Sequence, residues 1–228
     1  MPLKKLMFLS ILFFVSSLSF AQNFKLWDFG VRAGLTYSAI QYTAEDTSAT
    51  DFVNSITEDI KYKPGFSVGV YSDFFRNKNI YIGVGADYYQ KGYKSKVIVT
   101  NDLGQQTGTG HFNYRLDYLT FSFYAKFNPN VGKINPFFII APRVDYYMGY
   151  SISSSIPGFD SNTKNNIFEQ YKKITGSVSI GAGVEIFGIL KNPVLVEFTF
   201  VPDLINQFNN GFVSIKNKSF GLSAGLQF

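Results

Sequence analysis

Beyond an apolar N-terminal segment, apolar and polar residues alternate with a period of two through nearly the whole chain. That pattern constrains it to antiparallel β-structure more than any other feature does. The first run sets Phe29, Val31, Ala33, Leu35 and Tyr37 against Gly30, Arg32, Gly34, Thr36 and Ser38. The second opposes Phe66, Val68 and Val70 to Ser67, Gly69 and Tyr71, and the third opposes Ile80, Ile82, Val84, Ala86 and Tyr88 to Tyr81, Gly83, Gly85 and Asp87. A fourth places Leu119, Phe121, Phe123, Ala125 and Phe127 across from Thr120, Ser122, Tyr124 and Lys126. In the fifth, residues 137–140 are apolar on both faces, and the phase is set only further on by Pro142, Val144 and Tyr146 against Ala141, Arg143 and Asp145. Val178 to Ile186, Val194 to Phe200 and Phe220 to Phe228 supply three more runs, and the expected strand count is eight.

The connections alternate in length as regularly as the residues alternate in polarity. Long polar stretches are expected around 40–63, 96–113, 151–172 and 201–217, and short turns around 75–79, 129–133 and 188–192. An even number of antiparallel strands with short turns at one end and long loops at the other is the pattern of a barrel crossing an outer membrane. The expected fold is therefore all-β, an eight-stranded antiparallel up-and-down transmembrane β-barrel.

Alternation alone does not say which face points inward, because a soluble barrel of the same size buries its apolar face. The less apolar face decides. It carries Gly30, Gly34, Gly69, Gly83, Gly85, Gly181, Gly183, Gly221 and Gly225 with few lysines or glutamates, a poor composition for a solvated sheet. Small residues there make room beside Arg32, Tyr71, Tyr81 and Tyr124 in an interior only wide enough for side chains to fill. The apolar rows have about the nine to eleven residues that a tilted strand needs to cross hydrocarbon. Aromatic residues are expected in two interfacial girdles, Trp27, Phe74, Phe127, Phe187 and Phe228 at one end and Tyr37, Tyr88, Tyr118 and Tyr146 at the other.

Lys4 and Lys5, the apolar run 6–15 and the small residues Ser19 and Ala21 have the form of a secretory signal peptide over 1–21, leaving 22–228 as one barrel domain. Losing the two lysines lowers the formal net charge from +5 to +3, too mild to argue for a nucleic-acid partner. The chain has no cysteine, which excludes disulfides and thiolate metal sites.

The segments FGVRAGLTYS, DYLTFSFYAKFNP, INPFFIIAPRVDYY, ITGSVSIGAGVEI and the terminal GLSAGLQF, in this order and spacing, resemble the PorT-like outer-membrane β-barrel family of Bacteroidetes. The resemblance covers essentially the whole mature chain and implies an outer-membrane location. It also implies that Phe228 is the aromatic end read by barrel-assembly machinery. Members of that family are functionally mixed, and one namesake group takes part in protein secretion.

The inward phase brings Arg32, Asp87, Lys126, Arg143, Asp145, Glu185 and Glu197 to one lumen. Such a set is either an ion path or a network of pairs that plugs the barrel, and the small diameter favours the plug. The sole histidine, His111, is expected in the second external loop with no serine in nucleophile spacing, so an enzyme is not expected. The acidic residues Glu45, Asp46, Asp51, Glu58 and Asp59 lack calcium-loop spacing, and neither a metal nor a cofactor is expected. The sequence thus predicts a non-enzymatic barrel, structural or binding through its long loops. Expected partners are outer-membrane lipid and lipopolysaccharide, the assembly machinery, and a surface protein or secretion system. A subunit of a secretion machine and, less favoured, a lipid-modifying enzyme are the alternatives.

Overall fold

The computed structural model describes residues 28–57, 59–77, 79–100, 103, 105–129, 132–156 and 166–228. The expected signal peptide and Trp27 lie outside them. The strands are β1 (Asp28–Ala44), β2 (Ile60–Asn77), β3 (Ile80–Thr100), β4 (Gln106–Phe127), β5 (Ile134–Ser154), β6 (Ile174–Ile186), β7 (Val194–Pro202), the two-residue β8 (Phe208–Asn209) and β9 (Val213–Gln227). Helix α1 (Thr50–Thr57) lies between β1 and β2, and the single turn α2 (Asn166–Glu169) lies between β5 and β6.

Eight long strands pair antiparallel in chain order, and β9 closes the ring by pairing with both β7 and β1, the latter from Gly30↔Gln227 to Ala44↔Val213. Closure leaves no sheet edge among the membrane-crossing strands. In lipid every unpaired backbone donor or acceptor would cost several kcal/mol. The last residue is bound into the seam, because the Phe228 N–H donates to the Phe29 carbonyl at 2.6 Å.

The apolar rows point outward. Leu35, Phe121, Phe123, Phe138, Ile140, Phe198 and Leu222 are all more than half exposed on the outer surface, whereas Tyr71, Tyr81, Tyr124 and Lys126 are buried inside. The ambiguous stretch of β5 resolves with Phe137 and Ile139 inward and Phe138 and Ile140 outward. Tyr37 and Tyr146 face outward as expected, but Tyr118 does not: two residues before the inward Thr120, it shares that face and is fully buried.

Glycine makes the large inward rings possible. A Cβ on Gly83 would collide with the Tyr124 ring, and one on Gly183 with the Phe137 ring. The two glycines sit opposite those aromatics on neighbouring strands, at Gly83↔Tyr124 and Phe137↔Gly183.

The expected lengths of the long connections need correction, the first included, since β1 runs to Ala44 and β2 begins at Ile60. The stretch expected as a long loop over 96–113 is mostly a continuation of β3 and β4, paired as far as Thr100↔Gln106. β5 likewise runs on to Ser154, and β9 begins at Val213. These strands are far longer than the nine to eleven residues a crossing requires, while β6 and β7 have only 13 and 9 residues. The excess stands beyond the membrane as an extension walled by β1–β5 and β9.

Within that wall β2 skips register between Tyr62↔Tyr93 and Ser67↔Tyr89, beside Pro64, which has no N–H to give. β1 reaches across the skip, with Thr36 Oγ1 donating to the Gln90 carbonyl at 2.7 Å and Ser38 Oγ accepting from the Gly92 N–H at 2.8 Å.

Candidate functional site

The lumen is the place where the sequence concentrates unusual chemistry, and its charges divide into three levels. At the short-turn end Lys126 Nζ lies 2.6 Å from Glu185 Oε1 and 3.3 Å from Asp73 Oδ2. The remaining carboxylate oxygens accept from neutral donors, Asp73 Oδ1 from Tyr124 OH at 2.6 Å and Glu185 Oε2 from Asn128 Nδ2 at 2.8 Å. The ammonium also faces the rings of Tyr81 and Phe137 at 5.0 and 5.3 Å. Tyr71, Tyr124, Phe137, Ile139, Ala141 and Leu195 pack around this level and fill the cross-section.

At mid-height Arg32 holds Asp87 with two bonds, Nε to Oδ1 at 2.8 Å and Nη2 to Oδ2 at 2.6 Å. Glu197 is buried at the same level, with Arg32, Lys126 and Arg143 as its electrostatic partners. Arg32, Asp87, Arg143 and Glu197 border a polar cavity of about 40 Å³, lined also by Ser122, Tyr89 and Thr199. That volume accommodates a few water molecules.

At the long-loop end Lys91 is fully buried between two carboxylates, 2.8 Å from Asp145 Oδ2 and 2.7 Å from Asp203 Oδ1. Asp145 accepts from Thr120 and Ser177 at 2.7 and 2.8 Å, and Arg143 Nη2 stands 3.5 Å from it. Asp203 belongs to the segment after β7, which folds into the barrel mouth. There it accepts from Gln207 Nε2 at 2.7 Å and from the Asn217 N–H at 2.9 Å. Tyr118 OH donates to Gln207 Oε1 at 2.6 Å and completes the bridge from wall to loop.

Above this level the inside becomes apolar. Ile40, Tyr93, Leu116, Tyr118, Tyr147, Ile152 and Ile215 from the walls enclose Phe168 and Tyr171, which the β5–β6 connection inserts into the mouth. The rings meet directly: Phe168–Tyr171 at 5.1 Å, Tyr150–Phe168 at 4.9 Å and Tyr147–Tyr171 at 5.8 Å. Burial in this cap pushes the Tyr171 phenol well above its ordinary pKa.

The seven lumen residues singled out in the sequence all line the interior. Three residues that complete their pairs were not among them. Asp73 lies two residues beyond Tyr71 and Lys91 four beyond Asp87, so both continue the inward phase. Asp203 lies in a segment without alternation and carries no comparable sign.

His111 is not in a loop. It lies on the extension of β4, paired with Lys96 and exposed, and its backbone N–H donates to Ser155 Oγ at 2.9 Å. In the first connection, Asp46 accepts from the Ser48 N–H and hydroxyl, both at 2.9 Å, and these bonds hold its carboxyl below the usual range. Among the described residues no group of three or more His, Cys, Asp or Glu could hold a metal ion.

A closed antiparallel barrel with an apolar outer belt and an ionic, side-chain-filled interior defines a transmembrane β-barrel. The chain belongs to the outer membrane protein β-barrel domain family, whose model matches residues 20–209, and its place is the bacterial outer membrane. No curated protein matches the sequence. Solved structures with the same kind of fold include Ail of Yersinia pestis in complex with the heparin analogue sucrose octasulfate, at 12% identity and TM-score 0.41 over 89% of this chain and 99% of that one. Outer membrane protein OprG of Pseudomonas aeruginosa is similar at 11% identity and TM-score 0.44 over 90% and 97%. The outer membrane protease OmpT of Escherichia coli is similar at 8% identity and TM-score 0.42 over 90% and 96%.

Proposed function

We propose that the protein is a closed, non-enzymatic barrel that acts through its external extension as a binding or structural element of the outer membrane. The observation that carries this reading is the double closure of the lumen. Lys91 on β3, Asp145 on β5 and Asp203 of the segment after β7 are tied together at one level, and Phe168 and Tyr171 fill the mouth above it. A buried ion whose partners are this close is held by them, so it forms a tie across the bore and no stepping site for ions.

With the bore filled, the surfaces left to meet other molecules are the lipid-facing wall and the extension, where binding residues on rigid scaffolds are usually carried. Lipopolysaccharide and surface or host proteins are the partners proposed for it, with the assembly machinery engaging Phe228 during biogenesis. The PorT-like reading, a secretion-machine subunit, has its support in the resemblance of the strand segments.

Planar-bilayer recording of the purified barrel tests the closure. Absence of stable conductance at moderate voltage is expected, and a large steady conductance would overturn the reading. Mild-detergent extraction from the native membrane then separates the two roles, because stoichiometric partner subunits would favour the secretion machine over the lone binding barrel.

A further inference from the structure

The lipid-facing wall is notched at the seam where β9 meets β1. Ala33 and Ala224 pair there and point outward, with Val68 beside them on β2. One row nearer the long loops, Phe66, Leu35, Leu222 and Phe198 stand side by side across β2, β1, β9 and β7, a ledge of large side chains with Leu35 68% exposed. One row the other way, Val31 pairs with Leu226. Between these rows lies a groove of about 380 Å³, lined by Val31, Ala33, Val68, Ala224 and Leu226 and by Leu190 from the turn between β6 and β7. Gly188 opens that turn at a φ of +87°, a conformation suited to glycine, and Ile189 and Leu190 are both more than half exposed. The turn thus lays an apolar side chain against the outer wall.

Height and shape select what fills the groove. Val31 and Leu226 each lie two residues, about 7 Å of strand, from the short-turn ends of their rows at Phe29 and Phe228. Short turns face the periplasm, so the chains passing this level belong to the phospholipid leaflet on that side. In hydrocarbon a wall gains only from packing, and an unfilled groove would leave its lining without dispersion partners. A second copy of the barrel fits it poorly. Copies stand the same way up in one membrane, so Leu35 and Leu222 would meet the same ledge on the neighbour and hold the alanine rows apart. A flexible acyl chain can lie beneath the ledge. Lys191, next after Leu190, is exposed and among the described residues forms no ion pair, which leaves a cation at the rim for a lipid phosphate.

We infer that the seam groove is a binding site for one phospholipid of the periplasmic leaflet, with an acyl chain over Ala33 and Ala224 beside Leu190 and the phosphate met by Lys191. The site lies at the opposite end of the barrel from the extension and does not depend on the role proposed for it.

The test uses the full barrel in detergent micelles, titrated with phosphatidylglycerol, with diacylglycerol of the same chains, and with lipid A. Native mass spectrometry reads the bound lipid, and a single retained phosphatidylglycerol per barrel is expected. The double variant Ala33→Phe, Ala224→Leu fills the notch and removes on the order of ten carbon contacts, so it is expected to retain the phospholipid about tenfold more weakly. Ala125→Phe, on the outer face of β4 away from the seam, is expected to bind as the parent does. Heat-modifiable gel mobility confirms that each variant is folded. Lys191→Gln is expected to weaken retention about fivefold, the contribution of one lysine near an anionic surface. Equal retention by parent and filled variant, or an equal loss in Ala125→Phe, would overturn the groove as a site. Lipid A held as tightly as the phospholipid would overturn the leaflet assignment, and diacylglycerol held as tightly would overturn the contact with Lys191. Dimers that disappear in the filled variant would make a second copy the occupant and overturn the lipid.

Discussion

The membrane-spanning part and the extension above it are built from the same strands, with opposite chemistry on their faces. In β4, Thr120, Ser122, Tyr124 and Lys126 point inward and Phe121, Phe123 and Phe127 outward, but one turn of the pleat higher Leu116 and Tyr118 fill the inside and Arg115 and Asp117 face out. β5 makes the same exchange, from Arg143 and Asp145 inside to Tyr147 and Ile152 inside with Ser151 and Ser153 outside. In lipid an apolar side chain gains nothing by turning inward, so the interior is free to be ionic. In water the apolar face must turn in, and the extension acquires an ordinary hydrophobic core. The boundary between the two regimes is the level of Lys91, where the ionic interior ends and the aromatic cap begins.

Breaking that boundary has the largest expected effect. Lys91→Ala leaves Asp145 and Asp203 buried without their cation, and loss of one partner of a buried pair costs about 3–5 kcal/mol. Lys91→Ala is expected to lower the midpoint of urea unfolding in lipid vesicles, followed by circular dichroism, and to introduce brief openings in bilayer recordings by freeing the segment with Asp203. Unchanged stability would mean that the three groups are not coupled. The outer face gives the next effect: Phe121→Arg at the belt is expected to cost about 2–4 kcal/mol, whereas Ser153→Arg on the extension should stay within about 0.5 kcal/mol. Equal costs at the two positions would remove the distinction between the regimes.

The inversion also explains which parts of the molecule are legible in the sequence. The crossing segments are, because one apolar row of constant phase runs through each, and this row places Arg32, Asp87 and Lys126 in the lumen directly. The upper strands are not. Polar residues move to the outer face there, and a segment such as 106–113 takes on the composition of a loop although it remains paired with β3. Lys91 still follows the inward phase of Asp87, but it sits where the apolar row that marks that phase ends. Asp203 and Gln207 were hidden for a different reason: they reach the mouth through a turn whose direction is set by the Lys91 and Tyr118 partners waiting there, a tertiary cause with no local signature.

A smaller and local effect is expected from the cap. Phe168 is buried among Tyr114, Tyr150 and Tyr171. Phe-to-Ala changes in a core cost about 3–5 kcal/mol, but a connection that opens by itself unfolds apart from the barrel. Phe168→Ala is therefore expected to speed proteolysis and hydrogen exchange in the β5–β6 connection while the barrel's own unfolding midpoint stays put. A fall in that midpoint equal to the Lys91→Ala effect would make cap and barrel a single cooperative unit.

The mildest change tests how the two regions are joined. Tyr118 has its ring in the aromatic core and its hydroxyl on Gln207, which in turn donates to Asp203. Tyr118→Phe keeps the packing and leaves the buried Gln207 Oε1 without its donor, at a cost of about 1–2 kcal/mol. If the cap is tied to the ion network through this bond, hydrogen exchange should rise along 203–207 and at Phe168 together. If it rises along 203–207 alone, the aromatic packing holds the cap unaided, and the ionic level and the apolar level meet without depending on each other.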